Sequence, residues 1–236
     1  MTNSLLQIKL KQRLNKLSSF DYDNIECWQV AEAFNKAQIE WFRRQVHGHN
    51  QGKEGDESTK MNIDDVQRML VDTGTTWSAT EYPLFYETAL LPSNYLYFKR
   101  ISVNCLSDCC PDPRPMITYL AQVGDVDNLL GDNFRQPSAE WGETFCTIQD
   151  NRIKIYTNGE FKLSTPVLYY YRKPVDVGFT GCMNPNDGSI YASDILCEFK
   201  DDIVELIIDE AASILAGDIE SMNQYQRGKQ NATLNN

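Results

Sequence analysis

Nowhere do the 236 residues hold the run of roughly 20 apolar side chains that a membrane-spanning helix needs. The opening stretch, MTNSLLQIKLKQRLNKL, has neither an apolar signal core nor a cleavage site, so the chain is expected to be made and kept in a cytoplasm. Positive charge is also short: 33 acidic residues against 22 basic ones leave a net charge of −11. That is the wrong sign for gripping nucleic acid by neutralising phosphates. Histidine is scarcer still. His47 and His49 both fall where a helix should give way to a polar loop, no third ligand accompanies the HGH tract, and they read as surface residues. The nucleotide-binding and nucleophile-elbow patterns GxxxxGK[ST], GxGxxG and GxSxG are missing as well.

Cysteine is present, but not as a secreted disulfide framework. The seven are odd in number and Cys109 and Cys110 are adjacent, which predicts reduced thiols. Cys105, Cys109 and Cys110 could supply three zinc ligands, with Cys27, Cys146 or His47 as a fourth. The CxxxCC spacing is not that of a zinc knuckle or ribbon, and they read as small buried apolar residues.

Helical periodicity marks the two ends. Leu6, Leu10, Leu14 and Leu17 recur at helical spacing, with Lys9, Lys11, Arg13 and Lys16 on the other face. A second helix is predicted from Asn24 to Val46, capped by Asp23 and Glu26 and stopped at Gly48. Its apolar stripe is Cys27, Val30, Ala31, Phe34 and Trp41, and Arg43 and Arg44 sit in its last turns, where positive charge suits the dipole. Gly48 to Lys60 reads as an exposed loop, and a further helix is expected over Ile63 to Val71. Near the end, Val204, Ile208, Ala211, Leu215, Ile219 and Met222 form an apolar stripe opposite Asp201, Asp202, Glu205, Asp209 and Glu210. The polar tail Gln224 to Asn236 is expected to be disordered without a partner.

Between Gly74 and Val177, proline and glycine punctuate aromatic and β-branched runs, the texture of strands and loops. Tyr95 to Val103 reads as a strand or an irregular buried segment, Val167 to Arg172 as a strand, and Val123 to Leu130 as a short helix. Thr144 to Thr157 reads as a hairpin turning at Gln149-Asp150-Asn151, and CCPDPRP at Cys109 to Pro115 as a loop. The expected fold class is α+β: a helical bundle core from the two terminal segments (1–75 and 195–236) around a central antiparallel β insertion (76–194).

Two constellations suggest chemistry. Asp201, Glu205 and Asp209 share a helix face and could hold a divalent cation for phosphoester hydrolysis, although carboxylates opposite an apolar stripe are usually solvated. Tyr169, Tyr170 and Tyr171, with Tyr95, Tyr97, Phe98 and Tyr156, could stack bases, but that needs adjacent positive charge, and packing is the better reading.

The segments RLNKLSSFDYDNIECWQVAEAFNKAQIEWFRRQVHG (Arg13 to Gly48) and CEFKDDIVELIIDEAASILAGDIESMNQYQR (Cys197 to Arg227) resemble the ring, or head-to-tail connector, proteins of crAss-like bacteriophages. PSAEWGETFCTIQDNRIKIYT, VLYYYRKPV and the LPSNY tract at Leu91 are similar to the β portion of such adaptors. The resemblance implies a noncatalytic virion tail protein without cofactor or metal, assembled in the bacterial host cytoplasm as a ring of twelve copies. The portal would lie above it and further ring or tail proteins below, and DNA would pass through without sequence-specific binding or membrane contact. It also implies that Asp218 to Asn236 docks on the portal. The expected interface residues are Arg43, Arg44, Asp218, Gln224, Tyr225, Gln226 and Arg227. The basic first helix and acidic last helix are expected to offer contacts between neighbouring copies. A soluble regulatory module acting through its helical face is the remaining alternative.

Overall fold

In a computed structural model, residues 1–14, 25–47, 66–78, 80, 82–107, 110–218, 226 and 230 are described. They form two compact units, Met1–Arg68 with Pro174–Asn236, and Met69–Lys173.

The first unit is built on three helices, α1 (Asn3–Leu14), α2 (Cys27–His47) and α4 (Asp201–Asp218). Leu6, Leu10 and Leu14 of α1 are buried, as are Val30, Ala31, Phe34 and Trp41 of α2, so both apolar stripes read from the sequence face inward. Helix α4 packs against both of the others and buries Ile203, Val204, Ile207, Ile208, Ala211 and Leu215. Burying each such aliphatic side chain is worth about 1.5–3 kcal/mol. Trp41 meets the ring of Phe199 edge-on, with centroids 5.2 Å apart. The α2 cap lies three residues later than expected. Glu26 precedes the first turn, and its N–H donates to Gln29 Oε1 at 2.9 Å, the backward half of a capping box. Asp23, the expected cap, lies outside the described residues, as do Leu17, Ile219 and Met222.

The second unit carries an eight-stranded sheet: β1 (Leu70–Gly74), β2 (Phe85–Glu87), β3 (Tyr95–Ser107), β4 (Cys110–Leu120), β5 (Glu143–Gln149), β6 (Arg152–Tyr156), β7 (Lys162–Leu163) and β8 (Val167–Arg172). The order is β1-β8-β3-β4-β5-β6-β2, with β7 also paired to β3. Between β4 and β5 lie a 3-10 turn (Val123–Asp125) and α3 (Val126–Gly131). Ile101, Val103, Met116, Ile153, Ile155, Leu168 and Tyr170 form the core beneath it.

This architecture corrects the expected fold class. Among the described residues the dominant element is the eight-stranded sheet, curled into a half-barrel, accompanied by the helices α1 to α4, rather than a helical bundle with a small β insertion. The sheet is also mixed, because β4 and β5 run parallel. Of the helix expected at Ile63 to Val71, residues 63–65 lie outside the described residues and 66–67 are helical, but its end is corrected: Leu70 and Val71 enter β1, opposite Tyr171 and Tyr170. A short apolar run satisfies a helix stripe and a strand equally well, and pairing to β8 decides between them.

The CCPDPRP tract is likewise a strand from Cys110 onward. Ile117 N–H donates to Gly142 O on the β5 side at 2.7 Å. The period of two aims the ring nitrogen of Pro115, which pairs in register with Asn104 of β3, at that same edge. Pairing with β5 begins only at Ile117, so Pro115 removes no donor from that ladder, while Pro111 and Pro113 fall where the β3–β4 register shifts. The β5–β6 hairpin forms where expected. Asp150 and Asn151 both take positive φ, 52° and 58°, as the two-residue turn that matches strand twist requires.

One cysteine pair departs from the reduced-thiol expectation. Cys27, the first residue of α2, is disulfide-bonded to Cys182, 155 residues later. Proximity across such a separation exists only in the folded chain. Cys105, Cys146 and Cys197 are not part of a disulfide, and no group of three or more metal-ligating side chains occurs among the described residues.

Candidate subunit interface

The acidic face of α4 meets the basic face of α1 within the chain. The Met1 amine pairs with Asp201, Lys9 with Glu205, and Arg13 with both Glu205 (3.2 Å) and Asp209 (2.8 Å). The three carboxylates singled out as a metal site therefore each face a cation. Asp201 remains solvated, Glu205 and Asp209 are drawn into the contact between the helices, and these opposite charges, expected to join neighbouring copies, meet inside one copy. Asp209 is largely buried at this contact. Periodicity placed each charge on its face correctly; only packing shows that the two faces meet.

Arg44 is similarly an internal strut. Its guanidinium bonds Glu210 across α2 and α4 at 2.7 Å, with side-chain exposures of 20% and 14%. Arg43, one residue earlier, is exposed. Asp218 ends α4, and Gln226 is an exposed helical residue, whereas Gln224, Tyr225 and Arg227 lie outside the described residues. The structure thus distinguishes Arg43 from Arg44, and among the described residues it brings none of the expected interface residues together. His47, at the end of α2, is exposed, and His49 is outside the described residues. Of the tyrosines, Tyr156, Tyr170 and Tyr171 are buried, and Tyr169 carries Arg100 over its ring at 4.2 Å.

A different surface was missed. The second half of β4 and the crossover to β5 expose Ile117 (66%), Leu120 (51%), Val123 (51%), Phe134 (93%) and Trp141 (77%). The two rings are held by tight turns. Phe134 N–H donates to Asp132 Oδ1 at 3.0 Å, and Arg135 and Gln136 both donate to Asp132 O. Ser138 closes the other turn, its carbonyl accepting from Gly142 and Glu143 and its hydroxyl from Trp141 N–H, while Gly142 takes φ +68°. Turns whose backbone is already ordered lose little further conformational entropy on docking, and tryptophan is a frequent anchor of protein interfaces. Asp125, Asp127, Asp132, Glu140 and Glu143 line the same stretch against a single cation, Arg135. Tyr119 lies here too, its phenol pushed up by burial and by the charge of Glu143. Sequence showed Phe134 and Trp141 in a turn-rich segment but held no signal for their exposure.

The sheet unit also contains a cavity of about 570 Å³ lined by Tyr82, Tyr86, Glu160, Phe161 and Lys162. No helix among the described residues is long and apolar enough to cross a membrane. No protein-family model matches the chain, and no curated protein matches it.

Proposed function

We propose that this protein is a noncatalytic subunit of a homo-oligomeric ring, a head-to-tail adaptor that joins a phage portal to the tail and extends the DNA channel. The resemblance of its terminal segments to crAss-like phage connectors supports this reading. The observation that carries it is the β4–β5 crossover, where Phe134 and Trp141 are fixed in tight turns and left exposed. A large apolar surface rimmed by polar groups marks a protein partner, and a ring supplies one as an identical copy. The excess of carboxylates suits a conduit, since a negative wall repels phosphate and lets DNA slide. In this reading Arg43 and the segment from Asp218 onward meet the portal, and Arg44, paired with Glu210, does not.

Native mass spectrometry of the purified protein, alone and with the portal, tests the proposal. Assembly into a ring, or stoichiometric binding to the portal, is expected, and the double variant Phe134→Ser, Trp141→Ser should reduce assembly while remaining folded. A wild-type protein that stays monomeric and ignores the portal would sink the reading. Unchanged assembly of the variant would remove the crossover from it.

A further inference from the structure

We propose that Cys27 and Cys182 form a redox-operated staple that sets the order of the strap joining β8 to α4. The strap, Pro174 to Lys200, contains no helix or strand beyond the isolated bridges Gly178↔Ile195 and Met183↔Ile190. Its root is gripped by amide side chains from the helices. Asn35 bonds Val177, Gln38 donates to Val175 O, and Asn3 Nδ2 donates to Gly178 O and Ile195 O. The far bend is folded largely on itself: Cys182 N–H donates to Phe179 O, Tyr191 N–H to Cys182 O, and Gly181 N–H to Tyr191 O. Beyond it Met183 and Ile190 are exposed. The disulfide is the covalent tie from this bend to α2, so it constrains a part of the strap that the amide grip at Val175, Val177, Gly178 and Ile195 does not hold.

Chemistry favours this pair as the exchanging one. Cys27 is partly exposed at the first residue of a 21-residue helix, where the dipole favours a thiolate, while Cys182 is nearly buried behind it. Cys105 and Cys146 are closed inside the sheet core. In the oxidising direction the Cys27 thiolate attacks one sulfur of a small disulfide such as oxidised glutathione, and one small thiolate leaves. The Cys182 thiolate then attacks Cys27 Sγ and displaces the second. Two protein thiols become one disulfide, the small disulfide becomes two thiols, and these take up the two protons. A small thiol attacking Cys27 Sγ reverses the sequence. The strap is therefore loose in a thiol-buffered compartment and locked outside it.

Hydrogen-exchange mass spectrometry on the full chain, equilibrated with reduced or oxidised glutathione, reads the staple directly. Amides from Phe179 to Tyr191 should exchange at least about tenfold faster in the reduced protein, with β5 and β6 unchanged. A Cys182→Ser variant should show the fast rate under both conditions, and a Cys197→Ser variant should respond like wild type. Equal exchange in the two redox states, or no Cys27–Cys182 linked peptide after oxidation, would overturn the proposal. The wild-type comparison needs no variant to fold, and none of these readouts depends on ring assembly.

Discussion

Asn35 on α2 pairs with Val177 as one β-strand pairs with another: its Oδ1 accepts from Val177 N–H at 2.7 Å and its Nδ2 donates to Val177 C=O at 3.2 Å. Gln38, one turn on, donates to Asn35 Oδ1 at 3.1 Å and to Val175 O at 3.2 Å. Both side chains are buried, so a strap without a strand partner has its backbone satisfied by two helix amides. Buried backbone polar groups need such partners.

Asn35→Ala removes that pairing and leaves the Val177 N–H and C=O unsatisfied. A loss of about 2–3 kcal/mol is expected, because each orphaned buried group costs roughly 1–3 kcal/mol. Urea unfolding monitored by tryptophan fluorescence measures it. A change under about 0.5 kcal/mol would mean that water replaces the amide.

Arg44 and Glu210 should be energetically coupled. Both are mostly buried and 2.7 Å apart, so Arg44→Ala strands a carboxylate in a poorly solvated place and should cost about 2–3 kcal/mol. A double-mutant cycle with Glu210→Gln should return a coupling of at least ~1 kcal/mol. Additive effects would show that the pair contributes through packing alone.

The strap should loosen in acid. Asp194 accepts from the Thr180 N–H at 2.8 Å and the Thr180 hydroxyl at 2.7 Å, and these bonds, the backbone one first, hold its carboxyl below the ordinary range. Asp187 is lowered by the Ser189 hydroxyl and then the Ser189 N–H. A folded value below the unfolded one means stability that is fully present above the ordinary carboxylate value of about 4 and is lost as pH falls through the depressed value. Carboxyl carbon NMR titration should place both midpoints below that of a model aspartate. For Asp194, Thr180→Ala should move the midpoint upward. Ordinary midpoints in the wild type would contradict the hydrogen bonds.

Cys146 should be inert while the protein is folded. It is fully buried, and that burial pushes its thiol up to about 12, leaving almost no thiolate at neutral pH. Iodoacetamide at pH 8 followed by peptide mapping should find Cys146 unmodified until denaturant is added. Native-state labelling comparable to that of the unfolded chain would show the β5–β6 core opening readily.

Much of the local structure was legible. The leucine stripe of α1, the α2 stripe through Trp41, strands β3 and β8, and the β5–β6 turn at Asp150-Asn151 all follow from periodicity and turn chemistry, which act over a few residues. The apolar run at Leu70 and Val71 misled because it satisfies either period, and proline content made β4 read as a loop because its bare edge is invisible in one dimension. Of the candidate site, Phe134 and Trp141 gave no warning: an aromatic side chain in a turn-rich segment packs inward or stands exposed according to neighbours far away in the chain.

The amino-acid order by itself determined which faces of α1, α2 and α4 are apolar, where the hairpin turns, and that the molecule is acidic. Those properties depend on neighbours within one or two turns of chain. Only the tertiary structure decided that α1 neutralises the carboxylates of α4, that Arg44 is consumed by Glu210, that Cys27 reaches Cys182, and that the β4–β5 crossover remains uncovered. Each is a meeting, or a failure to meet, between residues remote in the chain, and such distances are set when packing chooses one arrangement among the many that local preferences allow.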